Sequence, residues 1–272
     1  MRIGIIGDTG CGGYGHSLDH AFVGVEGAEI VGLADPDESG RKEAMDRTGA
    51  DRGYEDYRTM LSSERPEIVV VATHEMSNHL SMVLAAAEHG AHVYVEKPLA
   101  RFPAEVDTML AACDKAGVML VMAHPWRGRP EIQRLAIPLI KDGKIGEPRW
   151  ARMYGFGGEH GGDQWFIDLY PHFFDLLDQI FGEPLWCQSV ITQDGRPAEP
   201  KDVKDGLFGM GASVGNGIWA HYQYDGFNAE FESYAGDGIE NPYRIDIHGT
   251  AGTICLPGAT QDGPDVYYHP LT

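Results

Sequence analysis

Three side chains suited to moving a proton occur in two distinct contexts. Lys97 lies in EKP, between an apolar run and a proline that fixes the turn, so its ammonium group is presented at a defined place. Asp168 and His172 lie four residues apart beside an apolar stripe with helical spacing. Pro171 suits the first turn of that helix, with Asp168 just before it and His172 one residue into it. This set predicts general acid–base chemistry.

Each of these residues also has an ordinary interpretation. Most lysines are solvated, which would account for Lys97 without chemistry. Carboxylates at Asp168 and Asp175 could hold His172 in one tautomer and make it more basic, but a histidine satisfied in a contact between domains would show the same pattern. The local sequence leaves both interpretations open.

A glycine-rich stretch, GDTGCGGYGHS, follows the first apolar run, and such a turn typically cradles a phosphate. Gly7 directly follows the strand and suits the tight turn. Gly10 fits an enlarged loop, Gly12 or Gly13 is expected beside the phosphates, and Gly15 inside the first turn of a helix. We add Thr9 and Tyr14 of the same loop to the predicted cofactor contacts. The alternative is a merely flexible turn.

Asp35 ends the second apolar run about 20 residues after the loop, where an acid accepts hydrogen bonds from a ribose diol. A carboxylate there repels a 2′-phosphate, and Pro36 and Asp37 supply no cation. The loop and the acid together predict a dinucleotide site that prefers NAD to NADP.

Five runs in the first 125 residues are apolar without alternation, as strands covered on both faces are: RIGIIG, AEIVGLAD, PEIVVVAT, HVYVEKP and VMLVMAH. Helix-length segments separate them, which predicts a doubly wound parallel sheet of the Rossmann type over residues 1–125, with ligands outside the carboxyl ends of its strands. Residues 126–272 are expected to form an α/β domain on a mostly antiparallel open sheet, with FIDLYPHFFDLLDQIFG as one helix. The patch GLFGMGASVGNG is left open between a loose hairpin and a mobile loop.

Composition narrows the class of partner. The 272 residues carry a formal charge of −20, which disfavours nucleic acid and anionic membrane surfaces. No stretch reaches the roughly 20 apolar residues of a membrane helix, and the four cysteines form no C-x-x-C pair. We therefore expect a soluble, cytoplasmic protein with a small-molecule substrate.

A metal site is conceivable at GEHGGD, which supplies Glu159, His160 and Asp163. A polar loop at the mouth of a pocket is the alternative. The chain has neither H-x-H nor H-E-x-x-H, so no metal is predicted.

The combination of EKP with a downstream D-x-x-x-H resembles the Gfo/Idh/MocA family, the glucose-fructose oxidoreductase and inositol dehydrogenase group. The resemblance is nearly colinear from Met1 to about Pro184 and resumes from Gly249 to Leu256. It implies a Rossmann domain followed by an α/β domain with an open antiparallel sheet. It also implies roles for particular residues: Lys97, Asp168 and His172 in the reaction, and Thr73, His79 and Glu96 near the nicotinamide ribose.

By this resemblance the reaction is hydride transfer between a sugar or polyol carbinol and nicotinamide C4. His172 would take the hydroxyl proton, Asp168 would orient it, and Lys97 would bind the oxygen or relay the proton. Trp126, Arg127, Tyr154 and His160 are candidate pocket residues, and a homo-oligomer, dimer or tetramer, is expected.

The chain departs from the family pattern at Tyr170, where a glycine is usual, so we expect a bulkier floor of the site. Two other functions stay open: redox-neutral sugar processing with tightly held NAD, and a nucleotide-binding sensor without turnover. The latter has no need of a proton-relay trio.

Overall fold

The computed structural model describes residues 1–156, 162–207, 209–235, 243–257 and 266–271. The chain divides into two compact units. The first comprises Met1–Ala123 with Gly206–Gly211, and the second His124–Asp205 with Ala212–Thr272. Within the described ranges, no helix is long and apolar enough to cross a membrane.

The first unit is built on six parallel strands in the order β3-β2-β1-β4-β5-β6. These strands are β1 (Arg2–Ile6), β2 (Glu29–Ala34), β3 (Gly53–Tyr54), β4 (Ile68–Val71), β5 (His92–Val95) and β6 (Leu120–Met122). The five predicted runs each form a strand, whereas β3 spans two residues and leaves no apolar pattern. The order reverses between β1 and β4, so a ligand crevice is expected outside their carboxyl ends.

Helices alternate with these strands, as the parallel order requires. They are α1 (Glu38–Thr48), α2 (Tyr57–Glu64), α3 (His79–Glu88) and α4 (Pro103–Ala116). The side chains of Asp37 and Asp56 cap α1 and α2 by accepting hydrogen bonds from the amides of Gly40 and Thr59, at 2.6 and 2.8 Å. The helices bury their apolar stripes on the sheet, and the doubly wound fold is confirmed.

The segment after the glycine-rich loop departs from the prediction. Gly15–His20 forms a short 3₁₀ stretch instead of an α-helix. His16 and Ser17 have φ of 46° and 53°, in the left-handed region, which an α-helix cannot accommodate. Gly15 therefore opens a short, interrupted 3₁₀ stretch and not a regular α-helix, so an anion at this loop must rely on the loop's own amides.

The second unit is built on eight strands in the order β16-β15-β14-β7-β13-β12-β8-β9. Neighbours are antiparallel except for β7 and β13, which are parallel. The strands are β7 (Pro148–Phe156), β8 (Trp186–Gln193), β9 (Arg196–Pro197), β12 (Gly217–Gln223), β13 (Asn228–Tyr234), β14 (Tyr243–Gly249), β15 (Gly252–Pro257) and β16 (Tyr267–Pro270). The mostly antiparallel sheet is thus confirmed.

Helices cover one face of this sheet: α5 (Ile137–Lys141), α6 (Asp163–Asp168) and α7 (Pro171–Phe181). Phe173, Leu176 and Leu177 of α7 pack in one buried cluster with Met153 of β7 and Phe231 of β13. The apolar stripe read from the sequence is the face of α7 that builds this core.

The single helix predicted across this region is two helices. Leu169 and Tyr170 separate α6 from α7 because Pro171, which has no N–H and clashes with the preceding turn, starts a new helix. Tyr170 is fully buried, and its hydroxyl donates to the carbonyl of Glu232 at 2.7 Å. Its ring lies in the core with Phe166 and Phe231, so the expected bulkier floor of the site is not found.

The glycine-rich patch GLFGMGASVGNG forms part of a β-hairpin. The strand β10 (Val203–Asp205) precedes the patch and pairs antiparallel with β11 (Ala212–Val214), which lies inside it. The connecting segment, Gly206–Gly211, clusters with the first unit although both of its strands belong to the second.

Candidate functional site

The glycine-rich loop closes on itself at the carboxyl end of β1. The amides of Cys11 and Gly13 donate to the carbonyl of Asp8 at 3.0 and 2.8 Å, and Gly12 and Gly13 have φ of 84° and 66°. The Gly10 amide bonds the Asp8 carboxylate. Within the described ranges the Gly12 amide donates to no backbone carbonyl, so this N–H group is available to an anion such as a pyrophosphate.

A cavity of about 250 Å³ lies beside this loop, outside the ends of β1 and β2. Its lining combines backbone and polar side chains with a few apolar groups, among them Gly7, Asp8, Pro36, Tyr57, Asn78 and Met82. Burial, together with the nearby charge of Asp35, raises the pKa of Asp8. The cavity lies at the carboxyl edge of the sheet, where doubly wound sheets bind nucleotides.

Asp35 is fully buried and does not line that cavity. Its carboxylate accepts hydrogen bonds from the Thr9 amide and hydroxyl, from the Tyr14 hydroxyl and from the Asp37 amide. The side chain predicted to hold a ribose diol therefore holds the glycine-rich loop.

Thr73, His79, Glu96 and Lys97 lie together at the same edge of the sheet, each at most 2% exposed. The two ring nitrogens of His79 lie 2.8 and 3.1 Å from the carbonyl oxygens of Thr73 and Leu99, so the ring ties two loops together. Burial lowers the pKa of His79. This role as a tie between loops was not anticipated from the sequence.

Glu96 has one carboxylate oxygen bonded to Nδ1 of His16. The other, Oε2, is buried and has no hydrogen-bond partner in the described part of the chain. A buried carboxylate oxygen left in this state is costly, so it suits a donor brought by a ligand. His16 was not singled out from the sequence.

His172 is 5% exposed at the start of α7 in the second unit. The Trp126 indole stacks on its imidazole, with ring centroids 5.5 Å apart and planes at 22°. His124 meets the same imidazole edge-on, with centroids 6.2 Å apart. The imidazole of His172 is thus fixed in orientation by two rings from the segment after β6.

Arg127 is tied to the same helix. Its Nε donates to Oδ1 of Asp175 at 2.8 Å, and Nη2 lies 2.6 Å from the same oxygen. Gln179 donates to Oδ2 of Asp175 at 3.0 Å. The interaction of Arg127 with Asp175 raises the pKa of the guanidinium, mainly through the hydrogen bond. Trp126 and Arg127, both predicted pocket residues, are therefore brought to the helix that carries His172.

The remaining predicted residues belong to other elements or lie outside the described ranges. Asp168 ends α6, on the other side of the break before α7. Tyr154 alternates with buried Met153 along β7, so it lies on the sheet face opposite α7. Glu159 and His160 lie outside the described residues. Among those that are described, no group of three or more His, Cys, Asp or Glu side chains has the arrangement of a metal site.

His124 is the second histidine that the sequence analysis missed. A signal existed, because the residue ends the run VMLVMAH, at the carboxyl end of a predicted strand where ligands of such sheets gather. The edge contact with His172, which lies 48 positions later, has no counterpart in the local pattern.

The first unit fits a dinucleotide in part. The available loop amide, the cavity and the unpartnered oxygen of Glu96 are features that a nucleotide would use. The carboxylate of Asp35 already accepts hydrogen bonds from the Thr9 and Tyr14 hydroxyls, so it is not available to a ribose diol in this conformation.

The chain is similar to known oxidoreductases in sequence and in fold. Residues 1–124 match the family model described as "Oxidoreductase family, NAD-binding Rossmann fold". The chain is 31% identical over 262 residues to D-apiose dehydrogenase of Paraburkholderia graminis, covering 90% of this chain and 69% of that protein. It is 27% identical over 275 residues to myo-inositol 2-dehydrogenase of Thermotoga maritima, covering 93% and 74%.

Among solved structures, the WlbA dehydrogenase of Bordetella pertussis in complex with NADH and UDP-GlcNAcA superposes with a TM-score of 0.76 at 22% identity. The match covers 100% of this chain and 78% of that one. The shared fold, the NAD-binding Rossmann match and the sequence identity to D-apiose dehydrogenase together show that the chain belongs to the Gfo/Idh/MocA oxidoreductase family.

Proposed function

We propose that the protein is an NAD-dependent dehydrogenase that transfers a hydride between a carbinol carbon of a sugar or polyol and nicotinamide C4. The observation that carries the proposal is the buried His172 imidazole, held by the Trp126 and His124 rings in a chain whose first unit is an NAD-binding Rossmann fold. D-apiose dehydrogenase and myo-inositol 2-dehydrogenase, to which the chain is similar, support a sugar or polyol as the substrate class.

In this proposal the second unit supplies the base. His172 takes the proton of the reacting hydroxyl, and Asp168 orients the imidazole. Arg127, held at Asp175, binds substrate hydroxyls in this proposal; its side chain is 55% exposed and keeps further N–H donors, which supports the role. Lys97 of the first unit binds the reacting oxygen or relays its proton. When bound, NAD supplies the hydride acceptor.

In the first unit, the loop amide of Gly12 binds the pyrophosphate and Glu96 binds the nicotinamide ribose. Gly7 lines the cavity at the end of β1. NADP is the less favourable cofactor because the cavity lining carries three carboxylates, Asp8, Glu55 and Asp56, against the single guanidinium of Arg58, and this balance repels a further phosphate.

The test follows the near-ultraviolet absorbance of NADH when the protein and excess NAD meet a panel of sugars and polyols. A sustained rise with one compound is expected. His172→Ala should lower that rate by roughly a hundredfold or more with unchanged NADH binding. His269→Ala, which removes an exposed histidine of β16, is the matched control.

Three other outcomes contradict the proposal. Full turnover by His172→Ala would remove the assigned base. Consumption of a sugar without net NADH would indicate redox-neutral chemistry with retained NAD. Nucleotide binding without consumption of any compound in the panel would favour a sensor.

We further propose that the protein is a cytoplasmic homo-oligomer. The four cysteines are free thiols, which suits a reducing compartment. The outer face of the eight-stranded sheet, opposite α7, carries exposed aromatic and aliphatic side chains that an identical copy would cover: Trp150, Trp186 and Val190.

A further inference from the structure

The hydrogen-bonding capacity of the Asp35 carboxylate is used up within the chain. Oδ2 accepts from the Thr9 hydroxyl at 2.7 Å and from the Tyr14 hydroxyl at 2.8 Å. Oδ1 accepts from the Asp37 amide at 2.9 Å, and the Thr9 amide lies 3.1 and 3.2 Å from the two oxygens. A carboxylate offers about four acceptor sites, so none remains for the two hydroxyls of a ribose.

Tyr14 is held in this position from both sides. Its ring lies against Gly7, where a Cβ would overlap the ring. The Arg47 guanidinium lies 4.5 Å from the ring centroid on a cation–π contact, and Arg47 is itself bonded to buried Asp19 at 2.6 Å. Gly7 thus lets the tyrosine fold back over the end of β1, at the turn that opens the loop.

The Tyr14 hydroxyl stays a donor over the whole working range of pH. Burial and the hydrogen bond to Asp35 raise its pKa well above the usual value for tyrosine. Deprotonation of the Tyr14 hydroxyl therefore does not free the Asp35 carboxylate. Only a movement of the Tyr14 side chain frees it.

We propose that Thr9 and Tyr14 form a clasp on Asp35 that must open before a nucleotide ribose reaches this carboxylate. Tyr14 is then a gate residue whose closed state competes with the cofactor, and not a cofactor ligand. The inference rests on the proposed NAD-dependent function. Since the binding-competent state is only part of the population, the clasp lowers the apparent affinity for NADH and slows its entry.

The experiment measures NADH binding by the fluorescence of the bound nucleotide, at equilibrium and by stopped flow, with ADP-ribose as a competing probe. Tyr14→Phe keeps the ring on Gly7 and removes only the competing hydrogen bond. We expect it to bind NADH and ADP-ribose roughly three- to tenfold more tightly, mainly through faster association. Thr9→Val, which keeps the amide contact and loses the hydroxyl, should change affinity in the same direction.

Tyr268→Phe is the matched control, since it also removes one hydroxyl that makes one hydrogen bond, to the Lys144 carbonyl at 2.9 Å, but in the second unit. Thermal unfolding of each variant checks that it is folded.

Unchanged or weaker NADH binding by a folded Tyr14→Phe variant overturns the proposal that Tyr14 is a gate. Unchanged binding would mean that the hydroxyl has no effect on NADH affinity, and weaker binding would mean that it contacts the nucleotide directly. If the wild-type protein binds neither NADH nor ADP-ribose, the proposed function fails as well. The two failures are therefore distinguishable.

Discussion

At the scale of single residues, Glu64 shows how one carboxylate ties the elements of the first unit together. It ends α2, is 6% exposed, and accepts hydrogen bonds from Arg52 at 3.0 Å, from Arg2 at 3.2 Å and from the Tyr54 hydroxyl. β1, β3 and α2 therefore meet at this side chain. The hydrogen bond from Tyr54, followed by the two arginines, lowers the pKa of Glu64 below its ordinary 4.5.

A carboxyl group whose pKa is lower in the folded state stabilises the fold above its unfolded pKa, and this contribution is lost as the pH falls through the folded pKa. Tyr54→Phe removes the largest cause of the shift. We expect the variant to melt below the wild type at about pH 7, with the difference shrinking as the pH falls below about 4.5.

The measurement is the melting temperature from about pH 7 to about pH 3.5. Tyr57→Phe serves as the control, because that hydroxyl makes one exposed hydrogen bond, to Ser81. A difference between Tyr54→Phe and the wild type that does not vary with pH would contradict the assignment.

The residues of the site differ in how much their sequence context reveals. The spacing of Pro171 and His172 predicts the helix start, and the structure has Pro171 in the first turn. The rings of Trp126 and His124 reach His172 from 46 and 48 positions away, and no local periodicity encodes that contact. Likewise Asp35 is recognisable from its place after β2, but its bonds to Thr9 and Tyr14 depend on how the loop folds back.

At the scale of elements, the tip of the β10–β11 hairpin, described at residues 206–207 and 209–211, is a strap that packs within the first unit. Gly209 lies against Glu75, whose carboxylate also accepts a hydrogen bond from Ser77. Met210 is 7% exposed. The strap is therefore packed against the turn after β4, which neighbours the glycine-rich loop at His74.

Gly209→Ala tests this packing. A Cβ there would overlap the carboxylate of Glu75 and lie 2.9 Å from Cβ of Ser77, on a residue with φ of 68°. We expect the strap to detach, with at least about tenfold faster amide exchange across residues 206–211. Gly211→Ala is the matched control, because its φ of 83° brings similar backbone strain while its Cβ would meet nothing within 4 Å. Equal effects of the two substitutions would show that strain, and not contact with Glu75, governs the strap.

Elements with a long apolar pattern were predictable, and short or irregular ones were not. β1, β2, β4 and β5 carry uninterrupted apolar runs, whereas β9, β10 and β11 have two or three residues each. The segment after the glycine-rich loop was mispredicted because the usual strand–loop–helix order outweighed His16 and Ser17, whose left-handed backbone breaks the helix.

At the scale of the whole molecule, the outer face of the eight-stranded sheet combines paired charges with exposed rings. Arg152 bonds Glu232, and Arg244 bonds Asp246 at 2.7 Å, so the charges on this face are neutralised locally. Trp186 and Val190 of β8 are each 50% exposed. A face with few net charges and large exposed apolar groups suits contact with a second copy, although each copy carries a formal charge of −20.

The combined substitution Trp186→Glu and Val190→Glu places two unpaired carboxylates at the centre of the proposed contact. We expect the dissociation constant of the oligomer to rise at least about a hundredfold, because a charge buried without a partner costs several kcal/mol. Light scattering coupled to gel filtration measures the mass, and Leu110→Glu, at an exposed leucine of α4, is the control.

Because the copies repel each other at long range, added salt should strengthen association of the wild type by screening that repulsion. A contact made of salt bridges between copies would instead weaken as salt is added. An oligomer whose mass survives both glutamates would place the interface elsewhere, and a wild-type monomer at every salt concentration would exclude the proposed self-association.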